Sequence, residues 1–203
     1  MKGKRVLMDP IRVQTSQEQL GSISSAIYTY KKKHGHLPGD INKDGIIGAK
    51  DFAGRFLPAS SANLNDETVL FWRDLESEEG WKSPSDGNIP YPEARLKQTY
   101  FIVGYIDDTI SPPFLSHPMK GNAIIWVSEA ALDGGEKHQL KSFPLTSRMA
   151  RYTDRKMDDG NPITGYIRAY GDCVEWYEQQ NSSSSDEPQD GAYNCGIVYK
   201  IFD

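Results

Sequence analysis

The chain has 203 residues, 23 basic against 28 acidic side chains, a net charge of −5 and a hydrophobic share of 37%. That length suits one domain with a modest core, and the acidic balance argues against nucleic acid or an anionic membrane surface as partner. No run of 18 apolar residues occurs, so nothing reads as a bilayer-spanning helix, and no secretory signal is visible.

Residues 1–14 show no hydrophobic period and read as a linker, with a single domain over residues 15–203. Thr15 or Ser16 is the expected helix cap, and Gln17, Glu18 and Gln19 fill the first turn. Leu20, Ile23, Ile27 and Tyr30 follow at helical spacing, with Ala26 beside them. Lys31, Lys32 and Lys33 suit the C-terminal end of the helix dipole, and Gly35 suits the stop.

Asp40, Asn42 and Asp44 then stand at alternate positions before Gly45, and Asp51 closes a twelve-residue loop. This is the calcium-loop pattern D-x-[DN]-x-[DN]-G with an acid at the last place. Glycine permits the sharp turn that lets the first three oxygens wrap a hard cation. Ile46 is expected to give its backbone carbonyl, Ile47 to point inward as an apolar anchor, and water to fill the place of Gly48. Asp51, shorter than the usual glutamate, is expected to bind through one oxygen. The competing reading is an Asx-rich turn that binds nothing. Five matched positions and a helix-like segment over residues 49–57 favour calcium.

Asn65 or Asp66 begins a second expected helix, in which Val69, Leu70, Trp72 and Leu75 form an apolar face and Gly80 the end. Residues 82–92 read as a loop. Residues 99–106, 123–127, 165–170 and 196–202 are rich in β-branched and aromatic side chains and read as strands. A third helix is expected over residues 146–157, followed by the turn Asp158-Asp159-Gly160-Asn161-Pro162. Helices first and strands later give an α+β fold: an N-terminal amphipathic helix on an antiparallel sheet, with long loops.

Cys173 and Cys195 are the two cysteines, without C-x-x-C spacing or a nearby histidine, so zinc is not indicated. A disulfide around the hydrophilic segment 181–188 is favoured over two free thiols. Closing such a loop stabilises a fold by roughly 3 kcal/mol in the chain-entropy model, and a disulfide implies a compartment outside the cytosol.

Several blocks carry a family resemblance. The helix ending in Tyr28-Thr29-Tyr30, its basic patch and then Leu37-Pro38-Gly39-Asp40 resemble the junction after the first helix of bacterial type IV pilin-like proteins. Phe71-Trp72-Arg73-Asp74-Leu75 resembles the family's aromatic helix. The segment from Tyr152 through Asp154, Lys156, Asp158, Asp159, Gly160 and Pro162 to Gly165 resembles its late acidic turn, and the cysteine pair fits its disulfide-bounded end. The calcium loop is similar to one loop of a dockerin repeat; a second such loop is missing, since residues 154–160 have the acids but not the spacing. The pilin resemblance implies a periplasmic or extracellular head whose precursor is anchored in the inner membrane by an apolar N-terminal helix. The cleavage-site glycine, the glutamate at the fifth place and that apolar run are absent from this sequence. Expected partners are other pilin or pseudopilin subunits of a type IV pilus or type II secretion filament, and the calcium is expected to be structural.

Two other classes are weaker. For an enzyme, no G-x-S-x-G or H-E-x-x-H pattern is present. His34, His36, His117 and His138 read as solvated, and the Asp107-Asp108 and Asp158-Asp159 pairs as turn acids. For an extracellular binding or adhesion module with a surface or carbohydrate ligand, Trp72, Trp81, Trp126 and Trp176 are the candidate aromatic side chains. Trp72 and Trp126 fall in expected core elements, which leaves Trp176 with Tyr177 as candidate contacts.

Overall fold

A computed structural model of the chain describes residues 5–48, 66–78, 81–82, 91–96, 98–107, 119–129, 143–171 and 193–201; side chains in the first helix are described from residue 11, and those of Glu78, Asp107 and Tyr193 are not. The expected short helix at 49–57, Gly80, and the hydrophilic segment 181–188 lie outside these residues.

The first helix, α1 (Arg5–His34), begins well before the expected cap at Thr15 or Ser16, so residues 5–14 are helical where the sequence showed no period. The hydroxyls do not cap: Thr15 Oγ1 donates to the Ile11 carbonyl at 2.8 Å and Ser16 Oγ to that of Arg12 at 2.9 Å. The buried stripe is Val13, Leu20, Ile23, Ile27 and Tyr30, and between Val13 and Leu20 it is carried by polar Ser16 and Gln17. Ser16 Oγ accepts from the Leu96 amide at 3.1 Å, and Gln17 Nε2 donates to Thr153 Oγ1 at 2.9 Å. Those bonds partner Ser16 and the Nε2 end of Gln17 at buried positions, while Gln17 Oε1 has no hydrogen-bond partner; the polar pair conceals the helix from a hydrophobic-period reading.

The second helix, α2 (Glu67–Glu78), starts where expected, with Asp66 Oδ1 accepting from the Thr68 amide at 2.9 Å. Its buried face is Val69, Phe71, Trp72 and Leu75. The third, α3 (Ser147–Met157), is capped by Thr146, whose hydroxyl accepts from the Met149 amide.

Among the described residues the sheet is antiparallel and five-stranded. A hairpin pairs β1 (Thr99–Asp107) with β2 (Lys120–Ser128) over their full length. Next to β2 lies β5 (Tyr193–Lys200), and β4 (Ile167–Gly171) runs along the other edge of β5. The two-residue β3 (Leu145–Thr146), too short to signal itself in sequence, pairs with β5 at Cys195 and Tyr193. The architecture is thus α+β, with an N-terminal helix and an antiparallel sheet as expected. Among the described residues no helix is long and apolar enough to cross a membrane.

The centre of the core is Trp126, edge-on to Phe101 at 5.3 Å and donating from Nε1 to Thr99 Oγ1 at 2.9 Å. Tyr170 reaches across β5 to the Trp126 carbonyl at 2.7 Å, and burial raises its phenol pKa far above the usual value. Gly196 makes that crossing possible, since a Cβ there would stand 2.0 Å from Tyr170 Cζ. Gly196→Ala should therefore expel the ring and its hydrogen bond, at about 3 kcal/mol. Urea denaturation measures it, and an unchanged midpoint would mean that the ring does not need this space.

Candidate metal centre

The segment between α1 and the sheet is irregular yet buried at its start: Leu37, Pro38, Gly39 and Asp40 are buried, as is Ile47, whereas residues 41–45 are exposed. Buried amides without a ladder need other acceptors, and side chains supply them. Asp74 Oδ2 on α2 accepts from the Gly39 amide at 2.8 Å and from the Tyr30 hydroxyl at 3.1 Å. Gly39 has φ +73, and a Cβ on it would lie 2.4 Å from the Glu67 carbonyl. Only glycine meets both requirements.

Asp40 is 2% exposed. Its Oδ1 accepts from the Asp44 amide at 3.2 Å and its Oδ2 from the Gly45 amide at 3.0 Å. Asn42 Oδ1 accepts from the Asp44 amide and Asp44 Oδ1 from the Ile46 amide, both at 2.8 Å. Lys43 at φ 58 and Gly45 at φ 79 supply the left-handed steps that wrap the loop. Ile47 is fully buried, as its anchor role required. Its amide donates to Asn122 Oδ1 at 2.8 Å, its carbonyl accepts from the Tyr105 amide at 3.0 Å, and Asn122 Nδ2 donates to the Gly45 carbonyl at 2.7 Å. Glu67 Oε2 accepts from the Gly48 amide at 2.9 Å. The structure thus gathers Asp40, Asn42, Asp44 and Ile46 into one turn; Asp51 lies outside the described residues. Asn122 and Glu67, which hold the turn in place, are distant in sequence and match no motif.

Among the described residues, the group of three acids that could hold a metal ion lies elsewhere: Asp154, Asp158 and Asp159, with ligand atoms within 4.8 Å of one another. Asp154 ends the buried face of α3, Asp158 caps that helix, and Asp159 opens the following turn. Burial pushes the Asp154 carboxyl up to about 7; the Gly160 amide opposes the shift, and the charges of Asp159 and Asp158 add to it. In sequence these acids failed the loop spacing; the helix repeat, which sets residues 154 and 158 one turn apart, was the available signal.

Of the other singled-out residues, Cys195 is buried on β5 while Cys173 lies outside the described residues. Trp72, Trp81 and Trp126 are buried; Trp176, Tyr177, His117, His138 and Asp108 are likewise outside. His34 and His36 are half-buried, against the expectation of solvated rings: His34 stacks on Tyr30 at 4.2 Å, and His36 meets the same ring edge-on. They border an open cleft of about 770 Å³ beside the Asp40 turn, with Lys31, Lys43 and Lys120 on its walls. Comparison of the chain with protein-family models, curated proteins and solved structures finds no match.

Two outcomes follow. Asn122→Ala removes the partner of the Gly45 carbonyl and leaves the buried Ile47 amide without an acceptor, and should cost about 1–3 kcal/mol; a loss under about 1 kcal/mol in denaturant titration would show that the loop is not held by this side chain. For Asp154, the folded pKa of about 7 lies above the ordinary 3.8. Stability is therefore greatest below the unfolded value and is lost as pH rises towards the folded one. In excess chelator, Asp154→Asn should gain on the wild type between those two values and level off above them. Discounted for nearby solvent, the gain is about 2 kcal/mol, read from melting curves across pH.

Proposed function

We propose that this chain is the globular head of a non-catalytic filament subunit of the type IV pilin or type II secretion pseudopilin kind, exported to the periplasm or cell surface. The observation that carries the reading is the meeting at Asp74. The tyrosine-bearing helix, the Leu-Pro-Gly-Asp turn and the aromatic helix resemble the family separately in sequence, and Tyr30, Gly39 and Asp74 from those blocks share one carboxylate oxygen. The late acidic turn joins the same body through Gln17 and Thr153, which link α1 to α3. A long N-terminal helix and an antiparallel sheet are the elements such a head needs, with an apolar extension of that helix anchoring the precursor in the inner membrane. Its partners are then neighbouring pilin or pseudopilin subunits.

In this reading calcium is structural, held by Asp40, Asn42, Asp44, the Ile46 carbonyl and Asp51. The two left-handed steps and the buried Asp40 support it. The Cys173–Cys195 disulfide belongs to the same reading and is supported by the absence of free thiols among the described cysteines. A calcium-stabilised extracellular binding module is the second reading, favoured by the open cleft beside the loop.

Assembly is the decisive test. The full-length protein, expressed in its own host, should appear in filaments sheared from the cell surface and carry immunogold label on them or at their tips. Protein found wholly in the soluble fraction under conditions where filaments form would sink the filament reading. The metal part is tested by melting in millimolar calcium against excess chelator. At about a hundred times its dissociation constant calcium adds about 2.7 kcal/mol, or roughly 5–10 °C for a chain of this size. Asp44→Ala should remove the loop's share of that shift.

A further inference from the structure

We propose that the turn after α3 is a second calcium site, separate from the Asp40 loop, with Asp154, Asp158 and Asp159 as its carboxylate ligands. Proximity of acids alone would not carry this. The deciding observation is at Asp154, which is 1% exposed. Its Oδ1 accepts from the Gly160 amide at 3.0 Å, while its Oδ2 is inaccessible and has no hydrogen-bond partner. A buried carboxylate oxygen left without a donor is strongly disfavoured. Here the neighbouring charges that act on it are the like charges of Asp159 and Asp158. A cation bound among the three answers the orphan oxygen and the repulsion together.

Three of the four remaining carboxylate oxygens are held by hydrogen bonds from backbone amides or the Thr164 hydroxyl. Asp158 Oδ2 accepts from the amides of Tyr166 and Ile167. Asp159 Oδ1 accepts from the Asn161 amide and its Oδ2 from the Thr164 hydroxyl, both at 2.7 Å. Gly165 closes against Asp158 where a Cβ would strike its carboxylate. The oxygens are therefore pre-positioned without a bound ion, as a rigid site requires.

The ligand set selects the ion class. All the donors are hard oxygens, which disfavours zinc. Calcium–oxygen distances of about 2.3–2.6 Å let two ligands stand up to about 5 Å apart across the ion, whereas magnesium at about 2.0–2.1 Å needs them within about 4.2 Å. The ligand atoms lie within 4.8 Å of one another, a separation calcium spans without rearrangement. Bound there, calcium would tie the end of α3 to the start of β4, and β4 in turn holds β5. This site shares no residue with the Asp40 loop and does not depend on the filament reading.

Equilibrium dialysis against calcium, counting ions per chain, tests the proposal. Asp159→Asn changes an exposed side chain of the turn and keeps an oxygen for the Asn161 amide, so the fold should survive. It should bind one calcium fewer than the wild type, and the same loss should appear in an Asp44→Ala background. Asp154→Asn should lose the same ion and, in chelator, melt no lower than the wild type. Unchanged stoichiometry in Asp159→Asn overturns the site. Magnesium bound there as tightly as calcium overturns the choice of ion. Loss of an ion in Asp159→Asn with none in Asp44→Ala would uphold this site while refuting the loop.

Discussion

Burying an irregular stretch of chain is the constraint on which the rest of this protein depends. Amides and carbonyls out of reach of water must be paired, and a loop has no ladder to pair them. Between α1 and the sheet the solution is four side chains, Asp40, Asp74, Asn122 and Glu67, each accepting from loop amides. Two of them come from α2 and one from β2, so the observed shape of the loop depends on both helix and sheet. Ile47 adds an apolar anchor and one backbone bond to β1, which converts the loop from a tether into part of the core.

The turn after α3 solves the same problem by the same means. Asp158 and Asp159 gather amides of residues that follow them, and Thr164 completes the turn. The difference lies in accounting for every oxygen. In the first turn both oxygens of Asp40 are engaged by amides; in the second, the inner oxygen of Asp154 is not. Buried acids that collect backbone donors are stable as charges, whereas one left half-satisfied beside two more carboxylates retains a proton or takes a cation.

The N-terminal helix shows how the two turns come to share one body. Its buried stripe is apolar from Leu20 to Tyr30, where it meets α2 and the loop. Towards its start the stripe becomes polar: Ser16 receives the Leu96 amide and Gln17 binds Thr153, next to Asp154. One helix therefore fixes the loop at one end and the acidic turn at the other, with apolar packing in the first case and hydrogen bonds in the second.

Much of this was legible from local chemistry. The spacing of Leu20, Ile23, Ile27 and Tyr30 announced a helix, Asn65 or Asp66 marked the start of α2, residues 146–157 read as α3, and β-branched and aromatic runs announced four of the five strands among the described residues. The wrap of the Asp40 turn followed from Asp, Asn and Gly at fixed intervals, because Asx side chains and glycine act on their own neighbours in the chain. What the tertiary structure alone decided were the meetings between distant residues: Ser16 and Gln17 as buried helix positions, Asn122 as the clamp on the loop, β3 as a strand, and Asp154 as a buried acid. The physical reason is common to all four. Hydrophobic period and turn propensity are properties of neighbours, whereas whether a polar group can be buried depends on a partner that only the folded chain brings within hydrogen-bonding distance.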